Sequence, residues 1–153
     1  MELDLIRKEI NNYDNLIKNL LNFRMSLIPI VADIKVKNNL PFYQGKREEE
    51  IYKKIESFSN ENGMDSDLLT EIYRLIIHNA LEIEESYAET NCSMPNKSID
   101  GIYQEFQKLD NIIEKEIPDI IAKIKKSAEQ NNLNLNQIAT LYYNEKTKKD
   151  GEK

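Results

Sequence analysis

From Leu3 to Lys37, apolar residues recur every three or four positions as Ile6, Ile10, Tyr13, Ile17, Leu20, Ile28 and Val31, a spacing that gathers them on one face of a helix. At 1.5 Å per residue that helix would be about 50 Å long. Pro29 falls inside it, removes the donor for the Met25 carbonyl and predicts a kink there. The stretch NNLPFYQG has turn chemistry, and a second helix is expected from Lys46 to about Asn60 with Ile51, Ile55 and Phe58 facing inward. After ENGMDSD, Asp65 or Ser66 can cap a third helix running to about Ala88 through Leu69, Ile72, Ile76 and Ile83, because either side-chain oxygen can accept from its free N–H groups. ETNCSMPNKS reads as a linker. A fourth helical pattern covers Ile99 to Ala128 through Ile102, Phe106, Leu109, Ile113, Ile117, Ile120 and Ile124, interrupted by Pro118. LNLNQIATLYYNEK is expected to form a short last helix, and KTKKDGEK a frayed, solvated tail. There is no internal repeat and no heptad run long enough for an extended coiled coil.

Composition agrees with an all-α protein. The chain has 153 residues, 40% hydrophobic and 31% charged, with only four Gly and four Pro, enough for one compact domain with at most a small appendage. A net charge of −6 argues against a general nucleic-acid surface, which needs a basic face to displace counterions from phosphates. Any anion site must be local. One cysteine, Cys92, cannot make an internal disulfide, and with one histidine, His78, no Cys/His metal site can be assembled. The charged N-terminus lacks the apolar core of a signal peptide, and SLIPIVADI is too short to span a bilayer. The expectation is a cytoplasmic protein with no membrane role, in which the sequons at Asn91 and Asn96 carry no meaning.

The first apolar stripe is interrupted at two positions, and both are cations, Arg24 and Lys35. A desolvated cation costs several kcal/mol unless it meets an opposite charge and satisfied hydrogen bonds, so the fold must supply anions there or leave the place to an anionic ligand. The plainer alternative is that both pair with Glu48 to Glu50 or extend their heads to solvent. The third helix has a matching oddity. Tyr73, Ile77, Ala80, Glu84 and Tyr87 form an apolar ribbon with a carboxylic acid in it.

These features sit in a longer pattern. The segments IRKEINNYDNLIKNLLNFR, VADIK, LPFYQGKREEEIYKKI and LLTEIYRLIIHNALEIEESY, between about Leu3 and Ala88, resemble the all-helical class of chorismate mutases. An early Arg, an Arg seventeen residues on, a Lys eleven further and an Arg-Glu opening the second helix follow in order. The resemblance implies a three-helix unit over residues 1 to 90 that exchanges its long first helix in an intertwined homodimer, with residues 91 to 153 a helical extension of unknown role. It places Arg24, Lys35, Arg47, Glu48 and Glu84 in one protomer's site, with Gln44 and Ala80 beside them and Arg7 reaching in from the other protomer.

What the resemblance implies about chemistry suits those residue types. Chorismate is a dianion, and its pericyclic rearrangement to prephenate needs no nucleophile, metal or cofactor. Planar Arg forks fit carboxylates, which assigns Arg7 and Arg24 to the clamp. Lys35 is the expected donor to the breaking ether oxygen. Glu48 would bind the ring hydroxyl and Arg47 would add positive potential. Position 84 is a departure, since many bacterial members have Gln there. A carboxylate would repel the ether oxygen, so Glu84 must carry a proton to help, and activity should be higher on the acidic side of neutrality. An isochorismate-pyruvate lyase or a mutase of amino-substituted chorismate would use the same clamp. A catalytically weak interaction module docking on a shikimate-pathway enzyme is the alternative outside catalysis. His78 is expected to make a surface or interhelical hydrogen bond.

Overall fold

A computed structural model describes residues 2–90 and 97–152, which are helices and turns with no strand among them. The helices are α1 (Glu2–Ser26), α2 (Ile28–Lys37), α3 (Gly45–Asn62), α4 (Ser66–Thr90), α5 (Asp100–Asn111), α6 (Ile117–Gln130) and α7 (Leu135–Gly151), with a π-helical segment, Ile112–Glu116, between α5 and α6. Cys92, Asn91, Asn96 and most of the expected linker lie outside the described residues.

The long first helix is broken where Pro29 predicts. The chain leaves the helix at Leu27, whose amide donates to the Arg24 carbonyl at 3.2 Å, and re-enters at Ile28. Pro29 then stands in the first turn of α2, where its missing N–H costs nothing because that donor has no partner within a helix. Pro118 has a similar effect with a different outcome. The preceding turn widens to a π-helix, so α5 and α6 run on rather than stopping.

α2, α3 and α4 pack together around the small core. Ala32 of α2 and Ile55 of α3 are buried, and so is Glu84 of α4. The α3–α4 turn needs Gly63, which has φ +73°, a left-handed value that a Cβ makes costly. Of the two candidate caps for α4, Asp65 does the work: its Oδ1 accepts from the amides of Asp67 at 2.9 Å and Leu68 at 3.4 Å. Phe58 corrects the inward set, since it is exposed and lies under the Lys125 ammonium, 5.7 Å from the ring centre.

The C-terminal residues fold back onto the first part of the chain. α7 runs antiparallel along the N-terminal half of α1, with Tyr143 bonded to Tyr13, Lys146 paired to Glu9, and Gly151 beside Leu5. The segment expected to fray is therefore helical to Gly151, and Thr147 within it is buried. Phe106 of α5 meets Phe23 of α1 edge to face, with ring centres 5.8 Å apart. Much of the periodic apolar surface nevertheless stays exposed: Ile10, Ile17 and Leu20 on α1, and Ile102, Ile113, Ile117, Ile120 and Ile124 on the α5–α6 run. No described helix is long and apolar enough to cross a membrane.

Candidate active site

A cavity of about 320 Å³ opens between the α1–α2 break, the loop after α2, the start of α3 and the middle of α4. Arg24 reaches it from the last turn of α1 and Lys35 from the last turn of α2, three helical turns apart along one face. The loop brings Phe42, Tyr43 and Gln44, and the first turn of α3 brings Arg47 and Glu48. Ala80 and Glu84, one helical turn apart, come from α4. Leu27, Val31, Ile51, Ile77 and Leu81 supply apolar wall, so the polar groups face a surface that excludes water from their backs.

Seven of the eight residues singled out in the sequence thus share one cavity: Arg24, Lys35, Gln44, Arg47, Glu48, Ala80 and Glu84. Arg7 does not line it. It projects from the N-terminal half of α1 with its side chain 65% exposed, 3.9 Å from Asp4.

Lys35 is held rather than free. Its ammonium donates to Glu84 Oε1 at 2.8 Å and to the backbone carbonyl of Phe42 at 2.8 Å. Glu84 is 3% exposed, so this pairing is the compensation that a buried carboxylate requires. The alternative reading, in which Lys35 pairs with Glu48 to Glu50 or extends to solvent, is not what forms. Arg47 instead faces Glu50 at 3.7 Å, with both side chains largely exposed. A lysine ammonium has three donors, so one remains for a further acceptor in the cavity.

Arg24 is the unusual member. Its Nη1 is buried and has no hydrogen-bond partner among the described residues. Such a donor carries the full cost of desolvation until an acceptor arrives. It shares the lining of the cavity with two more cations, Lys35 and Arg47, a set that suits an anionic acceptor. Among the described residues no group of three or more His, Cys, Asp or Glu side chains could hold a metal ion.

The backbone carbonyl of Phe42 was not foreseeable from the sequence, because a main-chain acceptor leaves no mark on residue identity. His78 behaves as the sequence suggests, with Nε2 at 2.9 Å from Glu82 on an exposed turn.

Comparison with known proteins covers the part of the chain that lines this cavity. Residues 6–85 match the family model for chorismate mutase type II. A chorismate mutase of Methanocaldococcus jannaschii is 32% identical over 84 residues, 55% of this chain and 85% of that protein. Bifunctional chorismate mutase/prephenate dehydratases of Aquifex aeolicus and of Buchnera aphidicola from Schizaphis graminum are 39% and 30% identical over 87 and 90 residues. These matches cover 55% and 59% of this chain but only 24% and 23% of those two proteins. No solved structure matches the chain.

Proposed function

The chain belongs to the chorismate mutase type II family, and we propose from that membership that the cavity binds chorismate and rearranges it to prephenate, as a step toward aromatic amino acids in the cytoplasm. The observation that carries the reading is the buried, unpartnered Nη1 of Arg24 in the same wall as Lys35. A dianionic substrate supplies the missing acceptor.

In the rearrangement the ether C–O bond breaks as a C–C bond forms, within one molecule and without a proton leaving. The protein therefore has to hold the folded conformer and stabilise charge on the ether oxygen. Arg24 takes one carboxylate. Lys35, with two donors fixed by Glu84 and Phe42, directs the third to the ether oxygen, which needs little reorganisation as charge grows there. Gln44, Arg47 and Glu48 line the same cavity, with Glu48 accepting from the ring hydroxyl. Glu84 accepts from Lys35 in this arrangement and so holds its ammonium in place.

Arg7 completes the clamp from a second copy. What supports a dimer is the accessible surface, 12214 Å² for this 18.0 kDa chain, against roughly 8,000 Å² for a compact monomer of that mass. The excess, roughly 4,000 Å² on one chain, is ample for the roughly 1,000–2,500 Å² that each partner of an obligate dimer buries, and exposed Ile10, Ile17 and Leu20 lie on the helix that carries Arg7.

Incubating the purified protein with chorismate and, separately, with isochorismate tests the assignment. Prephenate from the first and no salicylate from the second is the expected result. Salicylate and pyruvate from isochorismate would instead make it a lyase.

A further inference from the structure

The N-terminal half of α1 has little to fix its direction from within the matched family region. α1 contains no buried residue, and the helix break at Leu27 separates it from the α2–α4 core. A long helix attached through such a break is free to swing unless a second support reaches it.

α7 is that support. Its first turn is tied to the α3–α4 turn: Asn136 Nδ2 donates to the Gly63 carbonyl at 3.0 Å. The Asn134 side chain lies so close to Gly63 that a Cβ there would be 2.3 Å from Asn134 Nδ2. Asn134 and Gln137 close a reciprocal capping box that fixes where α7 begins. Its last turns are tied to α1 by the Tyr143–Tyr13 hydrogen bond and the Lys146–Glu9 ion pair, with both partners of that pair partly shielded from solvent. Core, α7 and α1 therefore close a triangle whose third corner is the break at Leu27.

We propose that α7 is a strut that sets the direction of the N-terminal half of α1 and so aims Arg7, with Lys146 and Tyr143 as positioning residues. The link to Arg7 rests on the assignment of that residue to the substrate clamp of a second copy. Glu9 lies two residues from Arg7, so the ion pair fixes the backbone beside the guanidinium while leaving its head exposed. An Arg that binds a substrate carboxylate alike before and during the reaction acts on KM, whereas the cavity's own donors act on kcat.

The test compares the full chain with Lys146→Glu, Glu9→Lys, the double exchange and Tyr143→Phe. Hydrogen exchange of residues 2 to 20 reads the strut directly, and kcat and KM for chorismate read its consequence. Each single charge reversal is expected to speed exchange in that segment about tenfold and to raise KM about tenfold with kcat nearly unchanged. The double exchange should restore both, and Tyr143→Phe, which keeps the packing, should give a smaller shift the same way. Unchanged exchange in the charge reversals, or failure of the double exchange to restore it, overturns the strut. Faster exchange with unchanged KM overturns the link to Arg7. A wild type that exchanges as described but turns over no chorismate leaves the strut standing and removes the functional assignment instead.

Discussion

At the scale of single residues, the site depends on groups whose hydrogen bonds are incomplete or shared. Arg24→Lys keeps the charge but loses the planar fork, and a drop of about a hundredfold in kcat/KM is expected, measured by the disappearance of chorismate. Unaltered kcat/KM would mean that the orphaned Nη1 has no carboxylate to meet. Glu84→Gln keeps an acceptor for Lys35 and adds an amide donor that needs no proton. It should stay active, within about tenfold of the wild type in kcat/KM. A loss as large as that of Arg24→Lys would mean that the charge of Glu84, and not only an acceptor for Lys35, is needed. The residues behind these expectations were legible in the sequence because charge on an apolar stripe is costly, and Arg24, Lys35 and Glu84 each violate their pattern. The carbonyl of Phe42, and the choice of Glu84 over Glu48 to Glu50 as the partner of Lys35, depend on how the loop closes over α2, which periodicity does not encode.

At the scale of elements, sequence and structure agree where local chemistry is strong. Pro29 sets the break before α2, and Asp65 caps α4 through two backbone amides. Asp65→Ala should therefore lower stability by about 1 kcal/mol without changing kcat/KM, as read from thermal unfolding and turnover of the same sample. The end of the chain was misread because KTKKDGEK is polar throughout, and polar residues carry no helical periodicity. Tertiary contacts to α1, not local preference, hold α7 in place to Gly151. Its hydrogen bond to Glu9 raises Lys146 above the ordinary lysine value of 10.5. With the folded value raised, the stabilisation is complete below the unfolded value and is lost as pH climbs through the higher folded one. The stability difference between wild type and Lys146→Met should accordingly hold steady from neutral pH to about pH 10 and shrink above it. In Tyr143, burial and then the bond to Tyr13 push the phenol up, so that side of the clasp stays neutral over the same range.

For the whole molecule, the apolar stripes read from the sequence are present, yet a single chain does not bury them. Ile17 is 60% exposed and Ile120 54% exposed, and the homodimer proposed above would use a second copy to cover such stripes. Sedimentation at micromolar concentration should return the mass of two chains, and Ile17→Glu should return one chain with sharply reduced turnover. Periodicity identifies a face to be covered but not which chain covers it, so the helices were legible from the pattern while the homodimer follows only from the resemblance to the family. The central claim is that this cavity rearranges chorismate. Its most direct test is the product formed from chorismate by the purified wild type beside Lys35→Met. Prephenate as the sole product, lost by at least a hundredfold in Lys35→Met, is the result expected. No prephenate from the wild type, or equal amounts from both proteins, would contradict it.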